Sequence, residues 1–294
     1  MYDIQESYTA HSVEEAIALL NKHEGAMPVA GGTDVIIKIR ERKIKRAILV
    51  SIQDIPELKT ISLEPDGAIL IGAGCSFTQI TENTIISEKI PMLSEACRQV
   101  GSPQIRNVAT IGGNICNGAV SADSVAPLYA LDAELLICTK DGKKMLPIRK
   151  FHTGPGKTVL MPSEVLTAIR IPFERYADHG SAYIKFGQRK AMEIATLGCA
   201  VNVSLDKNKQ HIDDIAIAYT VAAPTPRRCT QTEPMLSGMM IGPELYQKAR
   251  MNVLSELQPR DSWRASLELR EQLIKEMVVR AMKQAITRAG GEVD

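Results

Sequence analysis

The 294-residue chain is 45% apolar and 23% charged, close to average globular usage, which argues against a disordered chain. Its 35 Lys and Arg against 34 Asp and Glu leave a formal charge of +1, without the basic excess of a nucleic-acid binder. No apolar run reaches the ~18 residues of a membrane span, and the polar, acidic start Tyr2-Asp3-Ile4-Gln5-Glu6 is unlike a signal peptide, so a cytoplasmic protein without membrane or nucleic-acid partners is expected.

Single cores rarely grow past about 250–300 residues, so this length suits two domains. The chain opens as a strand followed by a helix over Val13 to Lys22, with Ser12 as cap and Glu15 at the capping-box position. Met27 to Ala30 reads as a short buried strand running into Gly31-Gly32-Thr33-Asp34, then a helical pattern (Val35, Ile36, Ile39) and a strand over Ala47 to Ile52. The basic cluster from Lys38 to Arg46, broken by Glu41, reads as a solvated helix face. From about Leu58 the texture changes. Strands are expected at Thr60–Leu63 and Ala68–Ile71 around Pro65-Asp66-Gly67, and helices at Thr78–Asn83 and Pro91–Val100. A Gly-, Asn-, Ser- and Thr-rich stretch runs from Gly101 to Gly118, then a short helix at Pro127–Leu131 and a hairpin around Asp141-Gly142. A third segment begins after Ile171-Pro172, with strands at Tyr183–Gln188, Ala200–Leu205 and Ile212–Thr220. The stretch from Leu205 to Ile215 reads as surface. Leu269, Leu273, Ile274, Met277, Val278, Ala281 and Ile286 mark a C-terminal helix, and Trp263 before it reads as a packing anchor. β-rich pieces with segregated helices point to an α+β fold.

Two tempting motifs fail. Gly72-Ala73-Gly74 lacks the third glycine of a dinucleotide fingerprint, since Phe77 stands there, and reads as a strand end. Gly154-Pro155-Gly156-Lys157-Thr158 ends like a phosphate loop, but Phe151 holds the position that needs glycine, and it reads as an exposed turn. The six cysteines are scattered without a C-x-x-C pair, so they read as buried small hydrophobes and no metal is expected. The five histidines fall mostly in polar stretches, and no catalytic residue is assigned.

Two glycine pairs lie where a buried segment meets a turn. In Val29-Ala30-Gly31-Gly32-Thr33-Asp34, glycines allow close approach of backbone N–H groups to an anion, a following helix start favours negative charge, and Thr33 adds a hydroxyl. Ala109-Thr110-Ile111-Gly112-Gly113-Asn114-Ile115 offers the same backbone donors, with the Thr110 hydroxyl and Asn114 amide. Two such nests suit the two phosphates of a dinucleotide. A tight turn is the plainer explanation of either pair, and helix capping the plainer role for Thr33, Asp34 and Asp123.

Ala30-Gly31-Gly32-Thr33-Asp34 and Ser102-Pro103-Gln104-Ile105-Arg106-Asn107-Val108-Ala109-Thr110-Ile111-Gly112-Gly113-Asn114-Ile115 resemble the two FAD signatures of the xanthine dehydrogenase and carbon monoxide dehydrogenase flavoprotein family. The resemblance continues through Glu164-Val165-Leu166 to Ile171-Pro172, Tyr183-Ile184-Lys185-Phe186, Ala222 to Arg227 and Ser262-Trp263-Arg264-Ala265-Ser266. It thus covers nearly the whole chain, and extends in particular to FAD subunits of bacterial xanthine dehydrogenases.

The resemblance implies a two-part FAD-binding domain of the para-cresol methylhydroxylase type over residues 1–175 (subdomains about 1–56 and 57–175), then a smaller sheet-plus-helices domain over 176–290. Pro28, Val29, Ala30, Gly31, Gly32, Thr33, Asp34 and Val35 would wrap the pyrophosphate from one side. Ala109, Thr110, Ile111, Gly112, Gly113 and Asn114 would hold it from the other. Val100 would sit near the adenosine or the flavin edge, Asp123 at a polar part of the FAD chain, and Leu166 and Lys185 at the cofactor from the domain junction. Ile115 and Cys116 would lie near the isoalloxazine ring. Cys116 departs from the aliphatic residue often found there in the family, and its role stays open, a small apolar contact being preferred to redox chemistry.

The implied role is electron transfer: electrons from a [2Fe–2S] subunit, served by a separate molybdopterin-binding catalytic subunit, pass through FAD to NAD in a heterotrimeric unit. No cysteine cluster for a further [4Fe–4S] centre is present. The oxidised substrate would be an N-heterocycle, purines preferred, and ferredoxin or flavodoxin is the other acceptor class. Two other readings stand beside this one: a free-standing FAD-dependent oxidoreductase of the para-cresol methylhydroxylase class, and a non-catalytic nucleotide-binding module.

Overall fold

The computed structural model describes residues 2–189 and 191–293. The first layer comprises β1 (Ile4–Thr9), α1 (Val13–Lys22), β2 (Ala26–Val29), α2 (Val35–Arg40) and β3 (Ala47–Ser51). Its three strands are parallel, in the order β1-β3-β2. The Ser12 hydroxyl accepts from Glu15 N, while the Glu15 carboxylate accepts from His11 N, so the capping box is displaced by one residue. Val13, Ala16, Ile17 and Leu20 bury one face of α1 against Val50, Ile55 and Leu58, and reach Cys138 and Val165 of the next layer.

That layer is a five-stranded antiparallel sheet with helices inserted between its strands. In chain order it contains β4 (Ile61–Leu63), β5 (Ile69–Gly72), α3 (Phe77–Glu82), α4 (Thr84–Lys89), α5 (Pro91–Arg98), α6 (Pro103–Val108), α7 (Ile111–Cys116), α8 (Val125–Ala130), β6 (Glu134–Thr139), β7 (Gly142–Pro147), the small hairpin β8 (His152–Gly154) and β9 (Lys157–Thr158), and β10 (Val165–Ile171). The strand order is β4-β5-β10-β6-β7. The Gly-rich stretch from 101 to 118, to which its composition assigned no element, thus holds two short helices. Each is set by a cap: Ser102 Oγ accepts from Ile105 N, and Thr110 Oγ1 from Gly113 N. Helix α4 has no apolar periodicity of its own; Asn83 Oδ1 caps it.

The C-terminal part comprises β11 (His179–Phe186), β12 (Leu197–Leu205), β13 (Ile212–Thr220), β14 (Arg227–Arg228), α9 (Glu233–Leu236), α10 (Pro243–Asn252) and α11 (Leu267–Arg288). The strands form an antiparallel sheet in that order. All nine residues of β12 are buried, because both sheet faces are covered. Val201, Ile217 and Tyr219 pack on the α10–α11 side, whereas Ala200, Ala216 and Ala218 join the core beneath α5 and α8. Small residues on the second face let helix and sheet backbones approach closely.

Ion pairs join the C-terminal sheet to the middle layer. Arg228 donates to Asp132 Oδ1 at 2.8 Å, to the Tyr129 carbonyl and to Glu233, and its side chain is only 6% exposed. Arg175 pairs with the same Asp132 at 2.9 Å. Two readings of this region need correction. Leu205, Ile212 and Ile215 are buried, and the exposed residues of the supposed surface stretch are Lys207 to Gln210 in the turn and Asp213 on the strand. Trp263 is 79% exposed with the Arg264 guanidinium 4.1 Å above its ring, so it anchors nothing in the core. Among the described residues no helix is long and apolar enough to cross a membrane.

Candidate cofactor-binding cleft

The two glycine motifs meet across a cleft of about 390 Å³, within the usual range for small-molecule sites. One wall is the β2–α2 connection, Pro28 to Val35. The other is the α6–α7 region: Ile105, Ala109, Thr110, Gly113, Asn114, Cys116 and Asn117. Phe77 and Val100 line it too, and the strip from Leu160 to Glu164 borders it. Glu164 fixes that strip by accepting from Met161 N at 3.0 Å and pairing with Lys144.

The first motif is built to donate. Gly32 has φ +69°, the left-handed conformation glycine adopts without strain. The backbone N–H groups of Gly31, Gly32, Thr33, Asp34 and Val35 donate to no acceptor among the described residues. Consecutive free N–H groups on a turn of this kind form an anion-binding nest. Asp34 stands at the cap position of α2, yet its side chain makes no capping bond.

The second motif is built differently, and the backbone donors expected of it are spent. Ile111 N donates to Cys75 O at 3.0 Å, Gly112 N to Ala73 O at 2.9 Å, and Gly113 N to Thr110 Oγ1 at 3.1 Å. What faces the cleft here is side chain. Thr110 Oγ1 accepts from Gly113 and keeps its own proton to donate. Asn114 Oδ1 accepts from Ser124 Oγ at 2.7 Å, which orients the amide and leaves its NH₂ group for the cleft. The glycines also serve packing. A Cβ on Gly31 would lie 1.9 Å from Val108 O, and one on Gly112 would lie 2.6 Å from Ala73 Cβ. Gly31 and Gly112 are therefore required by backbone-to-backbone contact, where ligand approach was the expected reason.

The cleft also holds a cation absent from the sequence-derived set. Lys38 sits four residues after Asp34, on the same face of the helix. Its Nζ crosses the cleft to donate to Asn117 Oδ1 at 2.6 Å. The spacing from Asp34 was the available signal; reading the basic cluster as solvated concealed it. Arg40, Arg42 and Lys43 of that cluster are indeed exposed.

The remaining expected positions divide. Ile111, Gly112 and Ile115 are fully buried behind the wall. The Ile115 carbonyl accepts from His152 Nε2 at 3.1 Å, and His152 Nδ1 contacts Tyr129 OH at 3.1 Å. His152 is buried, and burial lowers its pKa from 6.5. Leu166 is a core residue of β10, 4% exposed. Cys116 is half-buried on the wall, and burial pushes its thiol up to about 12, so it stays protonated at neutral pH; the other five cysteines are buried.

Asp123 lies in an adjoining groove of about 440 Å³ that shares Thr33, Asp34, Val100, Ile105, Asn114 and Asn117 with the main cleft. It caps no helix; Ser124 holds that position. Its carboxylate instead accepts from Lys185 Nζ at 2.8 Å and Tyr183 OH at 2.9 Å. Burial pushes the Asp123 carboxyl up, and Lys185 and Tyr183 oppose that shift. Lys185 does not line the cleft.

A family model described as "FAD binding domain in molybdopterin dehydrogenase" matches residues 3–174, and one described as "CO dehydrogenase flavoprotein C-terminal domain" matches residues 182–285. The chain is 39% identical over 293 residues to a xanthine dehydrogenase FAD-binding subunit of Escherichia coli O157:H7, covering 100% of both chains. It is 31% identical to the carbon monoxide dehydrogenase medium chain of Hydrogenophaga pseudoflava, covering 96% of this chain and 97% of that one. A solved structure of carbon monoxide dehydrogenase from the same organism superposes with a TM-score of 0.92 at 31% identity, covering 98% of this chain and 99% of that chain.

Proposed function

The chain belongs to the FAD-binding flavoprotein family of the molybdopterin dehydrogenases, and from that premise we propose that it relays electrons from a [2Fe–2S] partner subunit to NAD. It is an oxidoreductase subunit with FAD as its cofactor, within the xanthine and carbon monoxide dehydrogenase group. The relay direction, the NAD acceptor, the separate molybdopterin-binding catalytic subunit, the heterotrimeric unit, the purine-type substrate and the cytoplasmic setting are the finer parts of the proposal. So is the division into residues 1–175 and 176–290.

The observation that carries the site assignment is the row of uncommitted N–H groups from Gly31 to Val35 in the cleft that Lys38 also lines. Donors already oriented need no rearrangement to receive an anion, and hydrogen bonds to a charged group are about twice as strong as neutral ones. In this reading these N–H groups hold the pyrophosphate, with Lys38 supplying the compensating charge. The Thr110 hydroxyl and the Asn114 amide reach it from the opposite wall. Val100, Ile105 and Leu160 offer apolar surface to the flat parts of the cofactor, and Cys116 adds a small neutral contact. Bound FAD can take up electrons singly and release them as a pair, and the protein contributes binding and orientation.

Anaerobic addition of NADH to the purified, FAD-loaded chain tests the acceptor. Bleaching of the flavin absorbance, reversed by excess NAD⁺, is expected. A flavin that NADH leaves oxidised, but reduced ferredoxin bleaches, would overturn the NAD assignment and leave FAD binding untouched.

A further inference from the structure

We propose that the loop carrying Trp263 and Arg264 is a docking anchor for the [2Fe–2S] partner subunit, which meets it with an acidic face. The inference deepens the relay reading above and rests on it.

Trp263 is the chain's one tryptophan, and it stands exposed. A single exposed apolar residue needs no explanation, but this one is neither alone nor loose. Ser262 and Ala265 exchange backbone hydrogen bonds at 3.1 and 3.2 Å across it. Ser262 Oγ accepts from Arg264 N at 3.2 Å and from Arg270 at 2.7 Å. Arg270 is buried, and it also donates to the Thr196 and Val221 carbonyls, so one guanidinium ties the loop to the C-terminal sheet. The Arg264 guanidinium then lies 4.1 Å over the indole. Side chains fixed beforehand lose little freedom on association, and Trp and Arg are the residue types that dominate binding hot spots.

Place and charge identify the occupant. Trp263 lines neither the cleft nor the groove, and small ligands take concave sites, so a protein face is the matching shape. Gln188 Nε2 donates to Arg264 O at 3.1 Å. That bond joins the loop to the segment whose Met192, Glu193 and Ile194 line the groove beside the cleft. Met192 and Ile194 are themselves exposed. A usual interface takes about 800 Å² from each partner, so a face centred on Trp263 extends over them toward the groove. In the relay, the subunit that has to stand near the flavin is the one that delivers electrons. The charges are unbalanced here. Arg260, Arg264 and Arg270 form no ion pair among the described residues. Burial, then Arg260 and Arg264, push the Arg270 pKa down, and only Asp261 opposes them. The Asp261 carboxylate is turned to the start of α11, where it accepts from Leu267 N at 2.7 Å. Glu193 is held by Arg189. The surplus positive charge is left for carboxylates of a partner, which would steer its approach.

The test titrates the full FAD-loaded chain, its tryptophan replaced by fluorotryptophan, with the [2Fe–2S] subunit. The single fluorine resonance should shift and broaden as the complex forms. Trp263→Ala should weaken association by about tenfold or more in calorimetric titration, with FAD affinity and unfolding midpoint unchanged. Arg260→Gln combined with Arg264→Gln should weaken it too and flatten its salt dependence. An unmoved resonance with the subunit bound overturns the proposal, as does a Trp263→Ala chain that associates within about twofold of the parent. A resonance that moves only with the molybdopterin-binding subunit, or on concentrating the chain alone, assigns the loop to another subunit or a second copy and overturns it as well. A parent chain that does not associate with the [2Fe–2S] subunit, alone or beside the molybdopterin-binding subunit, overturns the relay reading itself; association that is indifferent to Trp263 overturns only this inference.

Discussion

Gly31→Ala should separate the two walls of the cleft. The added Cβ would lie 1.9 Å from Val108 O and 2.5 Å from Val108 C, backbone atoms that cannot rotate away. Ordinary contact begins near 3.4 Å, so the loop and the end of α6 must part by about 1.5 Å. Overpacking of this kind destabilises by about 1–3 kcal/mol. The effect on FAD should be larger. A shift of about 1.5 Å carries an N–H donor from the usual ~2.9 Å beyond hydrogen-bond range. Each bond to a charged group contributes about 1.5–3 kcal/mol, so losing two weakens binding by about 10²- to 10⁴-fold. Gly142→Ala is the control for affinity: at a hairpin tip with φ +136° and open space around it, the added Cβ strains the turn and touches nothing near the cleft, so a lowered unfolding midpoint with unchanged FAD affinity is expected. The assay is FAD titration of the apo chain by flavin fluorescence, with thermal unfolding in parallel. A Gly31→Ala protein that binds FAD within about twofold of the parent would mean that the clash relaxes without moving the donors, and that the Gly31 contact does not hold them in place.

Lys38→Met removes the cation that spans the cleft, and FAD affinity should fall by about tenfold. The parent's dissociation constant should rise more steeply with salt than the variant's, and equal salt slopes would remove Lys38 from the phosphate. Arg228→Ala strands the buried Glu233 carboxylate and removes one of the three arginines on Asp132, where Arg149 and Arg175 remain. A loss of about 3–5 kcal/mol is expected in urea unfolding, and a loss below about 1 kcal/mol would mean the junction does not depend on that network. His152 has its folded pKa held below 6.5 by burial. The unfolded chain therefore binds the proton more tightly, and the stability of the neutral buried form, full above the unfolded value, is lost as pH falls through it toward the folded value. His152→Phe should flatten the drop in urea midpoint between neutral and mildly acidic pH. An unchanged pH slope would show that His152 does not titrate there.

Much of the secondary structure was legible because its determinants are local. Ser12 and the apolar stripe of α1 lie within one helix, and the alternation that marks β13 lies within one strand. The Gly101–Gly118 stretch was read less well, since its helices rest on Ser102 and Thr110 caps and on burial of Gly112 against Ala73. Trp263 and Ile212 failed for the same reason. Hydropathy states what a side chain tolerates; what covers it is decided elsewhere in the chain.

The α+β class, the two glycine motifs and the family to which they belong could be read from the chain alone, because turn chemistry and the order of motifs are written residue by residue. How the motifs divide their work depends on the folded arrangement. The first keeps its N–H groups free, while the second spends them on Ala73 and Cys75. Lys38 meets Asn117 across 79 positions, and Lys185 meets Asp123 across 62. Such pairings depend on where the layers place each end, and no local pattern carries that distance. Whether a glycine binds a ligand or admits a neighbouring backbone is settled by what stands opposite it, and opposite Gly31 stands the carbonyl of Val108.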